Sequence, residues 1–392
     1  MQQIMKVRKS ESLAKPAAGR ASQRVLDHLA ELRSRLKPGE TLRIPPVRQL
    51  AQELKVSKAT IYHAFKQFSA SGDLTTAVGR GSFLKSAGQK ITVGLAWPIY
   101  ASLPFTRLAA ITHALLHASM SSSDLVELRP VPPAAVEAHC EHQYILDQVP
   151  YVDALIFPTS LDELAGFREK ATETYEAAGK PVVLLDAPAL NATRNFVAPD
   201  MFAITQQIGY ALAKTGRKRI AFLMKDSVNA TVTTLHALIG LKSGIAQGGN
   251  EHQQVEQIFT AKVSEQEGYN AIIKYLDTHS KAPDAIYCFG DVQAWGAMTA
   301  LEEKGISVPE EVSVIGGTGF SANLPTIGKF SAGNLTRVNY SFESIARGLL
   351  EMTFARVRKK CEPLPGVFVP GTIIGGLTTR PEENALLPIR KA

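Results

Sequence analysis

At 392 residues the chain is long enough for two or three domains, and a composition of 45% hydrophobic and 20% charged residues excludes wholesale disorder and fibrous repeats. Its longest apolar runs, such as 154–157 and 182–185, fall far short of the roughly 20 residues that cross a bilayer. The net charge of +7 is unevenly placed: residues 1–90 hold 17 Lys/Arg against 6 Asp/Glu, and the remainder 26 against 30. A concentrated basic segment on a mildly acidic body is what binding a polyanion requires, although a solvated basic tail has the same composition.

Residues 1–20 are polar, basic and aperiodic, and read as a tail. Lys6, Arg8 and Lys9 run into Ser10-Glu11-Ser12 with no apolar stretch, so no signal peptide is expected. Three scattered cysteines, Cys140, Cys288 and Cys361, suit a reducing compartment, and a cytoplasmic location is the expectation. From Ala21, the residues Val25, Leu29, Leu32 and Leu36 share one helical face until Lys37-Pro38-Gly39 stops the pattern. A second short helix follows Pro45-Pro46, with Val47, Leu50, Ala51 and Leu54 as its apolar stripe. Ser57 is a suitable N-cap for a third helix that turns Ile61, Phe65 and Phe68 inward. Segments 74–77 and 82–84 then flank Val78-Gly79-Arg80-Gly81 and predict a hairpin. Three helices and a hairpin over 21–84 give the order of a winged helix-turn-helix, followed by a polar linker at 85–90.

Beyond the linker the pattern alternates. Strands are predicted at 91–96, 125–128, 154–157, 181–185, 220–224, 285–288 and 312–315. Helices are predicted at 103–119, 201–215, 233–245, 265–278, 292–304 and 341–356. The fold class is therefore α/β, with parallel sheets flanked by helices, and about 300 residues call for two lobes within 91–392.

A helix-turn-helix puts the start of its second helix at base edges. Here that start carries Ser57, Lys58, Thr60, Tyr62 and His63, with Arg48 on the preceding helix. Lys58 can donate to guanine or phosphate, and Thr60 to phosphate. Gly79 allows close approach of the backbone to a duplex, and Arg80 suits a narrow minor groove. Each of these also has a plainer use as a solvated side chain or a turn glycine. Their grouping makes double-stranded DNA the expected partner.

The run Arg43-Ile44-Pro45-Pro46-Val47-Arg48-Gln49-Leu50-Ala51, with Leu54-Lys55-Val56-Ser57-Lys58-Ala59-Thr60-Ile61-Tyr62 and Gly79-Arg80-Gly81-Ser82-Phe83, resembles the head of the GntR family. The resemblance covers about 60 residues. It implies DNA contacts at Arg48, Lys58, Thr60 and Gly79. Lys58 stands where the family usually has arginine and lacks that residue's bidentate fork.

The body shows no phosphate loop, nucleophile elbow or His-Glu-x-x-His zinc motif. His113 and His117 share a helical face without an accompanying carboxylate, Cys140 and His142 are unsupported, and Asp124, Asp153 and Asp186 read as caps or turn residues. No metal or cofactor is expected. What the body resembles is the effector domain of LacI/GalR-type regulators, similar to type I periplasmic sugar-binding proteins. The resemblance rests on Lys180-Pro181-Val182-Val183-Leu184-Leu185-Asp186, on Thr215-Gly216-Arg217-Lys218-Arg219-Ile220, and on Gly290-Asp291-Val292-Gln293-Ala294-Trp295-Gly296. Ile306-Ser307-Val308-Pro309-Glu310-Glu311-Val312-Ser313-Val314-Ile315-Gly316 extends it.

The resemblance implies two lobes joined by three crossings with a small polar ligand, such as a sugar, between them. Asp291 matches the family aspartate that accepts from a sugar hydroxyl; as a local feature it is a helix N-cap. Trp295 either stacks on a sugar or packs, and Trp97, Pro98 and Phe105 form either a cleft wall or core. Ala237, Gly290 and Gly317-Thr318-Gly319 depart from the family pattern. The hinge helix of lac-repressor-type proteins is not evident in 85–90, which suits a substituted head. The expected function is a DNA-binding transcription regulator, a repressor acting as a homodimer. A DNA-binding head fused to a small-molecule enzyme is the alternative.

Overall fold

The computed structural model describes residues 17–36, 40–70, 73–77, 81–86, 90–97, 107–122, 125–131, 141–159, 166–226, 231–249, 254–317, 326–360 and 362–387. Contacts divide the chain into two units, Met1–Lys90 with Ser119–Val126, and Ile91–Ala118 with Glu127–Ala392.

In the first unit, α1 (Ala17–Ser34), α2 (Val47–Glu53) and α3 (Lys58–Ala70) accompany β1 (Thr41–Arg43), β2 (Leu74–Ala77) and β3 (Gly81–Lys85). The three strands form an antiparallel sheet in the order β1-β3-β2. Val25 and Leu29 of α1, Leu50 and Ala51 of α2, Ile61, Ala64, Phe65 and Phe68 of α3, and Leu74 and Leu84 of the sheet close one core. The apolar spacing forecast for the helices is buried in this core or packed against it, except at Leu36, which lies beyond the end of α1. β1 is the element that the pattern did not announce.

The second unit holds two six-stranded sheets. The first has the order β14-β8-β7-β6-β4-β5, with β4 (Lys90–Leu95), β5 (Leu125–Pro130), β6 (Ala154–Pro158), β7 (Val182–Leu185), β8 (Phe196–Pro199) and β14 (Val367–Val369). The second has the order β10-β9-β11-β12-β13-β15, with β9 (Ile220–Lys225), β10 (Val255–Thr260), β11 (Ala285–Cys288), β12 (Ser313–Gly316), β13 (Thr336–Tyr340) and β15 (Gly371–Ile374). The pairs β4–β6–β7–β8–β14 and β10–β9–β11–β12–β13 are parallel, and β15 runs antiparallel to β13. β6, β7, β11 and β12 are buried along their whole length, the mark of strands covered on both faces.

The helices are α4 (Arg107–Met120), α5 (Glu141–Asp147), α6 (Arg168–Ala177), α7 (Met201–Lys214), α8 (Val232–Gln247), α9 (Glu265–Thr278), α10 (Asp291–Glu303), α11 (Phe342–Arg358) and α12 (Pro381–Leu386). Side-chain caps start several of them: Asp200 accepts from Ala203 N, Ser264 from Glu267 N and Ser341 from Ser344 N. α7 and α8 approach so closely that a Cβ at Gly244 would lie 1.8 Å from the Gln206 carbonyl oxygen, and one at Gly240 2.3 Å from that of Phe202.

Three crossings join the sheets: β8 passes through Asp200 into α7, β13 through Ser341 into α11, and β14 through Pro370 into β15. They are tied side by side. Asp200 N donates to Val369 O at 2.9 Å, Tyr340 pairs with Gly371, and Tyr340 Oη donates to Met201 Sδ at 2.7 Å. β8 and β13 both reach the crossings with their carboxyl ends, so the carboxyl edges of the two parallel sheets meet there. Open α/β sheets hold ligands at that edge.

Candidate nucleic-acid interface and ligand cleft

The turn between α2 and α3 is set by Lys55, at φ +50°, and by Val56 N donating to Ala51 O at 3.0 Å. Ser57 Oγ then accepts from Thr60 N at 3.1 Å and lies 2.9 Å from Thr60 Oγ1, so the expected cap is present and both hydroxyls serve the helix start. With Ile61, Ala64, Phe65 and Phe68 inward, helical geometry leaves Lys58, Ala59, Tyr62, His63 and Lys66 outward, and Tyr62 is 62% exposed. His63 Nε2 is 3.4 Å from Gln67 Nε2. Arg48 is exposed on α2. Neither Arg48 nor Lys58 forms an ion pair among the described residues. At the hairpin, Arg33 of α1 donates to the Asp73 carboxylate at 2.8 Å, and Thr76 and Ser82 hydroxyls meet at 3.0 Å. Gly79 and Arg80 lie outside the described residues.

In the body, Asp291 is the first residue of α10 rather than its cap. The cap is Gly290, whose N–H donates to Gln293 Oε1 at 3.1 Å, while Gln293 Nε2 donates to Thr260 Oγ1 at 2.8 Å. Because Gln293 takes over the capping work, the Asp291 carboxylate is turned elsewhere. It is fully buried, with Arg337 Nε 4.0 Å away. It also lies against Gly316, where a Cβ would be 2.5 Å from Asp291 Oδ1. Burial first, and this carboxylate second, push the Cys288 thiol well above its usual range.

On the facing sheet edge, Arg107 at the start of α4 grips Asp186 at the end of β7 through two bonds of 2.6 Å. Asp186 is 1% exposed and left-handed at φ +74°, a conformation a non-glycine residue keeps only when its surroundings enforce it. Burial, the largest single influence, would lower the Arg107 pKa, but the charge and hydrogen bonds of Asp186, with Tyr340, together outweigh it and the net shift is upward. Asp186 therefore does more than end a strand. No local pattern announces its partner 79 residues away.

The aromatic candidates are packed inside the lobes. Trp97 is 1% exposed and its indole donates to Thr112 Oγ1 at 2.9 Å. Trp295 is fully buried in the cluster of Ala221, Ile258, Ile272, Met298 and Leu301, its Nε1 without a hydrogen-bond partner among the described residues. Packing, the plainer of the two uses expected for each, is what the structure shows, and neither offers a ring face to solvent. Pro98, Phe105, Asp124 and Cys140 lie outside the described residues. His113 and His117 are exposed on α4, His142 stacks on Phe167 at 4.4 Å, and Asp153 accepts from Thr92 N at 2.8 Å. Among the described residues no group of three or more His, Cys, Asp or Glu could hold a metal ion. None of their helices is long and apolar enough to cross a membrane. Thr112→Val is expected to strand the Trp97 N–H and cost about 1–3 kcal/mol, read as a lower midpoint in urea unfolding; an unchanged midpoint contradicts that role.

Residues 210–379 match the periplasmic binding protein-like domain family. Among curated proteins, the PurR repressor of Mannheimia succiniciproducens is 25% identical over 180 residues, 46% of this chain and 51% of that protein. The regulator AscG of Escherichia coli is 27% identical over 264 residues, 67% and 74% of the two chains. The chain thus spans about half the length of the PurR relative. Among solved structures, the lac repressor dimer bound to operator and the anti-inducer ONPF superposes with a TM-score of 0.58 at 18% identity, covering 74% of this chain and 94% of that one. The regulator CelR in complex with cellobiose gives 0.56 at 17%, covering 86% and 100%. The chain is an α/β protein with parallel sheets flanked by helices, a fold it shares with the lac repressor structure, and residues 210–379 are similar to the periplasmic binding protein-like domain family.

Proposed function

We propose that this chain is a transcription repressor whose head binds an operator and whose body binds a small polar effector, such as a sugar, between its lobes. The observation that carries the reading is the capped start of α3, which turns Lys58, Tyr62 and His63 outward, with Arg48 exposed on the preceding helix. That start lies in the one segment with excess positive charge. The matched relatives are named as transcriptional repressors and regulators, which supports it. So does the CelR structure, whose bound molecule is a disaccharide. The β2–β3 hairpin at residues 74–85 favours a GntR-type winged head over 21–84, joined through 85–90 to the effector domain 91–392. Two such chains would meet a two-fold operator as a homodimer in the cytoplasm, with no catalytic step. Arg48, Ser57, Lys58, Thr60, Tyr62, His63, Gly79 and Arg80 would form the DNA surface. Asp291 and Arg337 on one lobe, and Arg107 with Asp186 on the other, would supply polar contacts to the effector, backed by Trp97, Phe105 and Trp295.

The test is operator selection from a random duplex pool by the full chain, followed by a thermal-shift screen of sugars. Asp291→Asn should keep operator affinity within about twofold and weaken the effector response at least tenfold, since one charge-assisted hydrogen bond is worth about 1.5–3 kcal/mol. An unaltered response in that variant would remove Asp291 from the ligand site.

A further inference from the structure

We propose that Arg43 is an additional DNA-phosphate contact, supplied by the β1 strand beside the hairpin; the inference rests on the operator-binding reading above. β1 pairs antiparallel with β3 in the register Thr41↔Lys85, Leu42↔Leu84, Arg43↔Phe83, and β2 continues it with Thr75↔Phe83 and Ala77↔Gly81. Directly opposed residues share a face of the sheet. Leu42, Leu84 and Leu74 therefore take the face that packs on the helices, and they belong to or pack on the head core. Arg43, Thr75 and Phe83 take the other. Arg43 stands at the end of β1 nearest the hairpin tip, two residues along the register from Gly81.

The guanidinium lies over Gly81. A Cβ there would be 3.2 Å from Arg43 Nε, 3.6 Å from its Nη2 and 3.8 Å from its Cζ. Gly81 is also left-handed at φ +102°, so glycine is needed both for the turn and for the room the side chain occupies. Arg43 is exposed and makes no ion pair or hydrogen bond among the described residues. A cation held along the backbone at the base of the hairpin has lost part of its rotamer freedom before any partner arrives, and its N–H groups have no acceptor among the described residues. A phosphate oxygen satisfies them and completes the charge. A side chain serving only stability would instead reach one of the carboxylates of the head, as Arg33 reaches Asp73.

The experiment is fluorescence anisotropy of the full chain on a duplex selected by the wild-type chain, titrated from 50 to 300 mM salt. Arg43→Ala should weaken binding about five- to tenfold at 150 mM salt and reduce the slope of log affinity against log salt by about one, the release of one phosphate's counterions. Arg43→Lys should restore the slope, and Arg43→Ala should melt within about 1 °C of wild type. If Arg48→Ala loses binding while Arg43→Ala keeps both affinity and slope, the proposal is overturned and the operator-binding reading stands. A loss of affinity with an unchanged slope, or one that lysine does not rescue, also overturns it in favour of a structural role. If the wild-type chain selects no duplex at 50 mM salt, the operator-binding reading fails first and this inference with it.

Discussion

Glu383→Ala is expected to lower the stability of the body by about 3–5 kcal/mol, because it leaves a buried arginine without its counter-charge. Arg217 and Glu383 are 3% and 0% exposed, and Arg217 Nε donates to Glu383 Oε1 at 2.6 Å. The second carboxylate oxygen accepts from Ser313 Oγ at 2.6 Å and from Arg380 N at 2.8 Å. The remaining guanidinium N–H groups go to Glu311 O at 3.0 Å, Pro309 O at 2.9 Å and Ser313 Oγ. One carboxylate thus fastens α12 to the turn after α7 and to the first residue of β12. Removing it strands Arg217, a hydroxyl and the backbone N–H at the start of α12 together. Replacing both partners with apolar residues of similar volume should cost less than the single change, since the pair itself repays little beyond its own desolvation. Thermal melts of the two single variants and the double variant read this directly, and a Glu383→Ala melt superposable on wild type contradicts it.

The second large effect concerns the head. Arg48→Ala with Lys58→Ala should reduce operator affinity roughly 10²- to 10⁴-fold, each lost phosphate or base contact being worth about 1–3 kcal/mol. Both side chains are exposed, and neither belongs to the head core, which is built from Leu50, Ile61, Phe65 and their neighbours. The variant should therefore fold as wild type does, with its circular dichroism unchanged. Retained gel-shift at physiological salt would remove α2 and α3 from the interface.

Most of the body's long helices and the strands β4, β6, β7, β9, β11 and β12 were readable because burial wrote a pattern into them. Segments 265–278 and 285–288 were expected with the bounds α9 and β11 now have; the helix proves to be capped by Ser264 and the strand to be buried throughout. What escaped lacked such a pattern. β1 is three residues long. β10 exposes Gln257 and Phe259 at the sheet margin and reads as polar. β8 ends in Pro199, and β14 and β15 are separated only by Pro370, so both look like loop. α6 buries little beyond Ala171 and Tyr175. At the carboxyl edge of the sheets Asp291 was singled out through the family resemblance of its neighbours in sequence. Arg107 with Asp186 was not, nor was Arg217 with Glu383, because charge pairs that close over 79 and 166 residues leave no local periodicity.

The side-by-side ties among Asp200, Tyr340 and Gly371 restrict how the two sheet edges can move. Three strands laced by hydrogen bonds resist shear and twist, whereas small changes of backbone dihedral at one peptide in each leave the lacing intact. Swinging the two halves about that seam is then the inexpensive movement, much as a book opens on its spine. An effector bound between the covers, as proposed above, would then convey one quantity, the angle at which they rest.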